Sequence, residues 1–168
     1  MILSEIESRE FSANIEKINI DASIKDIIHI MGLGAKTKDI SLNYNEIENS
    51  KELFINGDND KFKQMIINLI DNGIKYTNNG GKVEIGINCV ENEVKIEIKD
   101  NGIGISKEHI ARLFERFYRV DKARSRSVGG TGLGLAIVKH IVILFNGRIQ
   151  IDSKIGEGTR FTIFLPKA

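Results

Sequence analysis

The sequence has no tryptophan, one cysteine and one proline among its 168 residues, and its 24 basic side chains nearly balance 23 acidic ones. The single cysteine, Cys89, excludes an internal disulfide framework and a cysteine-rich zinc site, which fits a reducing compartment. The charge balance gives no electrostatic footprint for nucleic acid or for an anionic membrane. No apolar run reaches membrane-spanning length and no signal peptide is visible, so we expect one cytoplasmic domain with its own core.

The spacing of apolar residues predicts helices and strands along the chain. Strands that are segregated from helices in this order are typical of a two-layer α/β sandwich, in the α+β class. The predicted elements are a frayed helix end at 1–11, a strand at 17–21, a helix that Asp21 or Ser23 would cap and that Gly32 and Gly34 would end, strands at 39–43 and 53–55, a helix at 58–77, strands at 82–89 and 93–99, a short helix near 107–113, a helix at 133–145, and strands at 148–153 and 159–165.

The first group of candidate site residues lies on the helix predicted at 58–77. At 100° per residue, Asn68, Asn72 and Lys75 share a face opposite the predicted apolar stripe of Phe62, Ile66, Leu69, Ile70 and Gly73. Amide oxygens can ligate Mg²⁺, which takes its other ligands from water and substrate phosphates, and a lysine can offset phosphate charge. Taken alone, the same residues also fit an ordinary solvated helix face.

The second group, Asp100-Asn101-Gly102-Ile103-Gly104-Ile105, follows the strand predicted at 93–99. A carboxylate there can accept a hydrogen bond from an exocyclic amine, and two glycines allow close approach of the backbone to a flat ring. The alternative is a tight turn that Asp100 caps.

The third group, Gly129-Gly130-Thr131-Gly132-Leu133-Gly134, precedes the predicted helix at 133–145. Free N–H groups at a helix N-terminus suit phosphate, although a hinge would use the same glycines. It is not a Walker A sequence, because Leu135 stands in place of the lysine, and it lacks the spacing of a dinucleotide-binding loop.

Aromatic and basic residues lie between these two glycine-rich groups, at 114–121 and at Lys122, Arg124 and Arg126. Aromatics interleaved with arginines can bind nucleic acid. Because the chain is neutral and glycine-rich sites flank the cluster, a mobile lid over a polyphosphate explains the cluster better.

In this order, the segments resemble the four motif boxes of sensor histidine kinase catalytic domains. Residues 68–77 resemble the N box, 100–104 the first glycine box, 114–121 the F box and 130–134 the second glycine box. The resemblance implies the Bergerat fold of the GHKL ATPases, which has a mixed sheet of about five strands, about three helices on one face and a flexible ATP lid, here at about 101–130. It also implies ATP and Mg²⁺ as ligands.

Position by position, the resemblance assigns Asn72 to Mg²⁺, and Asn68 and Lys75 to the metal or the phosphates. Tyr76 would pack near the adenine, and Asp100 would accept a hydrogen bond from its amine. The other nucleotide-binding positions that the resemblance implies are Gly102, Gly104, Ile105, Phe117, Arg119, Gly130, Thr131, Gly132, Leu133 and Gly134. Arg119 would be the lid residue on the γ-phosphate, with Arg116 a weaker candidate, and Phe114 would help Phe117 to anchor the lid. Asn68, Lys75 and Arg119 form the predicted catalytic set.

The same fold serves ATP hydrolases, in which a glutamate four residues before the metal-binding asparagine acts as general base. That position is Asn68 here, and an amide cannot accept the proton. The sequence therefore favours phosphoryl transfer to another nucleophile. In the family this is a histidine followed by an acidic residue, which none of His29, His109 and His140 matches, so we expect the phosphoacceptor to be absent from this chain.

Residues 3–7 resemble the stretch that closes the second dimerisation helix of such kinases. We therefore expect residues 1–11 to be a remnant of that helix or a linker, and residues 12–168 to be the ATP-binding catalytic domain. The implied partners are the histidine-bearing dimerisation domain of a homodimeric, membrane-anchored parent and, indirectly, a response regulator, while the isolated domain would be largely monomeric. The alternatives are an anti-sigma-factor-type serine kinase, a non-catalytic nucleotide-dependent interaction module and, least favoured, an ATP hydrolase.

Overall fold

The computed structural model describes residues 14–115 and 134–168 of the chain, and it contains two β-sheets and four helices within them. In chain order the elements are β1 (Glu16–Asn19), α1 (Ile20–Thr37), β2 (Ser41–Asn45), a 3-10 turn (Ser50–Glu52), β3 (Phe54–Gly57), α2 (Asn59–Lys75), β4 (Lys82–Val90), β5 (Glu93–Asp100), α3 (Lys107–Ile110), α4 (Gly134–Leu144), β6 (Arg148–Lys154) and β7 (Gly158–Pro166).

Five strands form the main sheet in the order β2-β4-β5-β7-β6. The β2–β4 pair is parallel and the other three pairs are antiparallel, so the sheet is mixed. Helices α1, α2 and α4 pack on one face of this sheet, and β1 pairs with β3 in a separate two-stranded sheet. The predicted two-layer sandwich, with a mixed sheet of five strands and three helices on one face, is therefore confirmed.

Alternation along the central strands decides which face of the sheet is buried. Val83, Ile85 and Ile87 of β4 are buried, whereas the intervening side chains reach solvent. The same period of two holds in β5, where Val94, Ile96 and Ile98 are buried. This is the pattern of a sheet that is covered on one side only.

Helix α2 lies across the covered face and carries the first group of candidate site residues. Asp58 caps its N-terminus, since the carboxylate accepts hydrogen bonds from the amides of Asp60 (2.9 Å) and Lys61 (3.2 Å). The predicted apolar stripe is confirmed and extended, because the buried side of the helix comprises Phe62, Met65, Ile66, Leu69, Ile70, Gly73 and Ile74.

Helix α1 differs from the sequence expectation at both ends. Asn19 caps it by accepting a hydrogen bond from the amide of Ala22 (3.1 Å), so Asp21 and Ser23 are inside the helix and not at its cap. The helix also continues through Gly32 and Gly34 to Thr37. Each glycine costs a helix about 1 kcal/mol. The burial of Ile20, Ile24 and Ile27 before the glycines and of Ala35 after them outweighs this cost.

Several predicted helix and strand boundaries differ from the observed ones by one to four residues. The strand predicted at 17–21 ends at Asn19, because that residue caps α1, and the strand predicted at 39–43 begins at Ser41. The helix end predicted at 1–11 lies outside the described residues. None of the helices in the described part of the chain has the length and apolarity needed to span a bilayer.

A buried carboxylate joins the start of α1 to β2. Asp21 accepts a hydrogen bond from the Tyr44 hydroxyl (2.7 Å) and pairs with Lys25 (3.0 Å), which also pairs with Glu46 (3.2 Å). Burial alone would raise the pKa of Asp21, but the hydrogen bonds from Tyr44 and Lys25 outweigh it and hold this pKa below its ordinary value. Burial and the neighbouring Asp21 raise the pKa of Tyr44, so the hydroxyl stays protonated and remains a donor.

The substitution Tyr44→Phe should lower the free energy of unfolding at pH 7 by about 1–3 kcal/mol, because it removes a donor to a buried carboxylate without removing the ring. Urea denaturation of the wild type and the variant measures the difference. Tyr76→Phe is not a suitable control because Tyr76 lies in the candidate site, so Asn43→Ala on the exposed side of the same strand serves instead.

The pH dependence follows from the lowered pKa of Asp21. A carboxylate whose folded pKa lies below its unfolded value contributes stability above the unfolded pKa and loses it as the pH falls through the folded one. The stability difference between wild type and Tyr44→Phe should therefore shrink as the pH falls below the ordinary range of a carboxyl. A difference that stays constant as the pH falls below that range would show that the ionised Asp21 is not its source.

Candidate functional site

The inner face of the sheet ends in a row of polar side chains. Across the four strands β4, β5, β7 and β6, three successive rows are dominated by apolar residues, and the last row joins Val83, Asp100, Thr159 and Ser153 as cross-strand neighbours. Asp100 is 7% exposed and Thr159 is 6% exposed. Buried polar groups need hydrogen-bond partners, so this row, named here the polar row (Asp100, Thr159 and Ser153), interrupts an otherwise apolar inner face and must be satisfied by its neighbours or by a ligand.

Only one oxygen of the Asp100 carboxylate accepts hydrogen bonds from the described residues. Its Oδ1 accepts hydrogen bonds from the amides of Gly102 (2.9 Å) and Thr159 (3.2 Å), while its Oδ2 has no partner among the described residues. Burial raises the pKa of Asp100, although the two amides act to lower it. The buried carboxylate therefore offers one acceptor oxygen, Oδ2, to which a ligand N–H can donate.

A buried hydroxyl without a partner lies close to Asp100. Thr77 is fully buried just after α2, and its Oγ1 has no hydrogen-bond partner within the described residues. A Cβ placed on Gly102 would lie 2.9 Å from this Oγ1 and 2.9 Å from Asp100 Oδ1, so Gly102 separates the two side chains. A buried polar atom without a partner calls for an explanation, and a ligand that binds beside Asp100 would supply one.

The loop after Asp100 is held down at both ends. Ile103 N–H donates to the carbonyl of Tyr76 (3.1 Å), and Ile105 N–H donates to Ser153 Oγ (2.8 Å). A side chain at Gly102 would overlap the Tyr76 carbonyl, and one at Gly104, where φ is +76°, would overlap the carbonyl of Lys154. The packing of this loop therefore requires glycine at both positions, independently of any ligand.

The first and third groups of candidate residues meet at one point. Asn68 Nδ2 donates to the carbonyl of Gly134 (3.4 Å), which joins the middle of α2 to the first residue of α4. Asn72 is half-buried one turn further along α2. Lys75 pairs with Asp71 (3.0 Å), so its charge is shared with a carboxylate on the same helix.

The end of α2 is fixed by a lysine from a different part of the chain. Lys38 Nζ donates to the carbonyls of Ile74 (2.6 Å) and Lys75 (2.8 Å), which have no acceptor role inside the helix because they are in its last turn. A cation there also opposes the negative end of the helix dipole. Lys38 therefore holds the turn from which Tyr76 and Thr77 follow.

The structure brings together most of the candidate residues that it describes. Around the ends of α2, β5 and α4 lie Asn68, Asn72, Lys75, Tyr76, Asp100, Gly102, Gly104, Ile105 and Gly134. Phe114 is half-buried against the core, with the Lys139 ammonium 5.8 Å from its ring centre. The remaining candidates, Phe117, Arg119, Gly130, Thr131, Gly132 and Leu133, lie outside the described residues, as does Arg116.

Sequence reasoning missed four residues of this region: Lys38, Thr77, Ser153 and Thr159. A usable signal existed for the last two, because both stand at inward positions of strands whose other inward residues are apolar. Lys38 and Thr77 had no such signal, since their roles depend on which segments pack together. The described residues hold no cluster of three or more His, Cys, Asp or Glu side chains that could bind a metal, so a metal here would depend on amide and substrate oxygens.

Comparison with known proteins gives a consistent result. Residues 57–168 match the family described as histidine kinase-, DNA gyrase B-, and HSP90-like ATPases. The chain is 40% identical over 166 residues to the sensor histidine kinase WalK of Bacillus subtilis (strain 168), a match that covers 98% of this chain and 27% of that protein. It is 37% identical over 165 residues to the sensor-like histidine kinase SenX3 of Mycolicibacterium smegmatis, covering 98% of this chain and 42% of that one.

A solved structure has the same fold. The catalytic domain of histidine kinase ThkA, in a nucleotide-free form, superposes with a TM-score of 0.79 at 24% identity, covering 92% of this chain and 96% of that one. This likeness agrees with the predicted Bergerat fold. The chain therefore spans less than half the length of these two curated relatives and nearly the whole of a solved catalytic domain.

Gly104 and Gly156, which both have a positive φ, provide a matched test of the loop packing. Gly156→Ala should cost about 1–2 kcal/mol, the price of a left-handed conformation, because nothing lies within 4 Å of the added Cβ. Gly104→Ala should cost about 1–3 kcal/mol more, since its Cβ would also overlap the backbone of Lys154. Urea denaturation measures both, and equal losses would contradict the tight packing of residues 100–105 on β6.

Proposed function

This chain belongs to the family of histidine kinase-, DNA gyrase B-, and HSP90-like ATPases, and we propose that it transfers the γ-phosphate of ATP to a histidine on a separate dimerisation module. Domains of this family bind ATP, and the similarity to curated sensor histidine kinases favours this function over a serine kinase or an interaction module. The observation that carries the proposal is the buried carboxylate of Asp100, whose Oδ2 has no hydrogen-bond partner among the described residues.

Asp100 would recognise the adenine through its exocyclic amine. Oδ1 is held by the amides of Gly102 and Thr159, so the carboxylate is fixed before a ligand arrives and Oδ2 is left as the acceptor. A preorganised acceptor loses little entropy on binding. Tyr76 and Ile105, both half-buried beside this loop, would pack on the flat faces and edges of the base.

The phosphates would follow the face of α2 toward the start of α4. Asn72 would ligate Mg²⁺, and Asn68 and Lys75 would contact the metal or the phosphates, because these side chains extend from the adenine end of α2 to Gly134. When bound, Mg²⁺ neutralises phosphate charge. The positions that complete this proposal beyond the described residues are Arg119 on the γ-phosphate, Phe117 as an anchor of the lid, and Gly130, Thr131, Gly132 and Leu133 along the phosphates.

The chemistry at Asn68 favours transfer over hydrolysis. Activation of water requires a group that accepts its proton, and the amide of Asn68 cannot. Its nitrogen donates to the Gly134 carbonyl, which leaves the amide oxygen to face other ligands. In the proposed reaction an imidazole nitrogen attacks the γ-phosphorus, the bond from that phosphorus to the ADP oxygen breaks, and catalysis rests on position and charge.

The proposed parent is a longer protein, of which this chain is the ATP-binding part. Residues 12–168 would form the catalytic domain, with a lid at about 101–130, and residues 1–11 would lead from the dimerisation helices. The parent would be a homodimer anchored in the bacterial membrane, with its kinase part in the cytoplasm, and its phosphohistidine would supply an aspartate on a response regulator. The isolated domain would be largely monomeric.

The first test is calorimetric titration with ADP and ATP. Asp100→Asn should reduce the affinity by about a hundredfold or more, because the amide nitrogen would face the amine of the base and leave two donors unpaired. The variant should be at least as stable as the wild type at pH 7, since Asn keeps an acceptor for the amides of Gly102 and Thr159 and removes a buried charge. Asp152→Asn, on the exposed side of β6, is the matched control.

The raised pKa of Asp100 predicts how this affinity depends on pH. The carboxylate accepts the amine best when ionised, so the affinity for ADP should fall as the pH decreases through the folded pKa, which lies above the ordinary value of an aspartate. Titrations from pH 7 downward, within the range where the fold is intact by circular dichroism, measure this. Wild-type affinity that is independent of pH over the whole range would contradict ionised Asp100 as the acceptor.

Metal binding is tested at Asn72. Asn72→Ala should reduce phosphoryl transfer from Mg²⁺-ATP to a supplied histidine module by about 10–100-fold, since it removes a metal-ligating oxygen. Binding of ADP without Mg²⁺ should change far less, because Asp100 is untouched. Asn79→Ala, an exposed asparagine just beyond α2, is the control. Equal losses of metal-free ADP binding and of transfer would place Asn72 in the adenine site and not at the metal.

A further inference from the structure

The hydroxyl of Ser153 is the most connected atom of the polar row. Its Oγ lies 2.8 Å from the amide of Ile105, 2.9 Å from the carbonyl of Gly158 and 2.8 Å from the hydroxyl of Thr159. Ser153 is a cross-strand neighbour of Thr159, which in turn is the neighbour of Asp100. Ser153 is therefore linked through Thr159 to Asp100, the proposed adenine acceptor.

Counting hydrogens assigns a direction to each of these three bonds. A serine hydroxyl has one hydrogen and two lone pairs. The amide of Ile105 can only donate to it, and the carbonyl of Gly158 can only accept from it, so these two contacts use its hydrogen and one lone pair. The contact with Thr159 can then be a hydrogen bond only if Thr159 is the donor.

This assignment fixes what Thr159 can offer to a ligand. With its hydrogen directed at Ser153, the Thr159 hydroxyl has only lone pairs left, and its backbone amide is already used by Asp100 Oδ1. Asp100 likewise contributes an acceptor, Oδ2. Asp100 and Thr159, side by side at the end of the sheet, therefore offer acceptors and no side-chain donor.

We propose that Ser153 is a positioning residue that holds the Thr159 hydroxyl as an acceptor and thereby makes the site select 6-amino purines over 6-oxo purines. The inference rests on the proposed nucleotide function and adds the basis of its selectivity. A 6-amino group has two N–H donors for two acceptors. A 6-oxo group would place its own lone pairs against these two acceptors, so neither acceptor would gain a hydrogen bond from it.

The test compares the dissociation constants of ADP and inosine diphosphate by calorimetry. Wild type should prefer ADP. In Ser153→Ala the Thr159 hydroxyl is released and can turn to donate to the 6-oxo oxygen, so the preference for ADP should fall by about tenfold. A role in stability alone would lower the melting temperature without changing this ratio, so the ratio separates the two roles.

Two further variants sharpen the result. Ser153→Thr keeps the hydroxyl and should keep a preference close to that of the wild type. Thr159→Val removes the group through which Ser153 acts, so adding Ser153→Ala to Thr159→Val should change the ratio no further. If Ser153→Ala does not fold, Ser153→Cys replaces it, because a thiol is a weak acceptor and would also release the Thr159 hydroxyl.

The outcomes are distinguishable. A folded Ser153→Ala or Ser153→Cys variant with the wild-type ratio overturns the role of Ser153 and leaves the proposed function standing. A wild-type domain that is folded and binds no ADP overturns the proposed function and this selectivity with it. The inference is supported if Ser153→Ala lowers the preference for ADP in the wild-type background and leaves it unchanged in the Thr159→Val background.

Discussion

The burial of one carboxylate at the end of the sheet sets the geometry of the whole site. A charged group withdrawn from water is tolerated only if hydrogen bonds replace its hydration, and Asp100 obtains them from the amides of Gly102 and Thr159. To deliver the first amide, the chain must turn back immediately after β5, and to deliver the second, β7 must begin beside it. What remains is a single oxygen without a partner among the described residues, which is the feature that a ligand donor can satisfy.

Helix α2 carries this constraint to the rest of the site. Lys38 holds its last carbonyls, Tyr76 just beyond it accepts a hydrogen bond from the loop after Asp100, and Asn68 reaches the first residue of α4. The helix is itself fixed by a buried apolar stripe against the sheet. Adenine recognition and phosphate binding, as proposed, would therefore be coupled through one rigid element, which favours a precise distance between base and reacting phosphate.

The fold does not by itself decide the reaction, since the same family includes ATPases of the gyrase and HSP90 kind. In the proposed function the distinction is local, at Asn68, where an amide would stand in place of the general base that hydrolysis needs. The structure shows that the same side chain donates to the carbonyl of Gly134 and so ties this position to the start of α4. As proposed, one side chain would therefore disfavour the competing reaction and also join two parts of the site.

Elements with strong periodicity, the one-sided sheet and the resemblance that predicted the site could all be read from the sequence, because apolar spacing and ordered motifs are local properties of the chain. The prediction from the sequence was wrong about the cap and about the end of α1. The helix continues past Gly32 and Gly34 because burial of Ile24 and Ala35 overrides the helix-breaking tendency of these glycines. Partners that are far apart in sequence could not be predicted. Lys38 meets the end of α2, and Ser153 meets Ile105, because packing of separate segments brings them together, and no local pattern encodes which donor will face which acceptor.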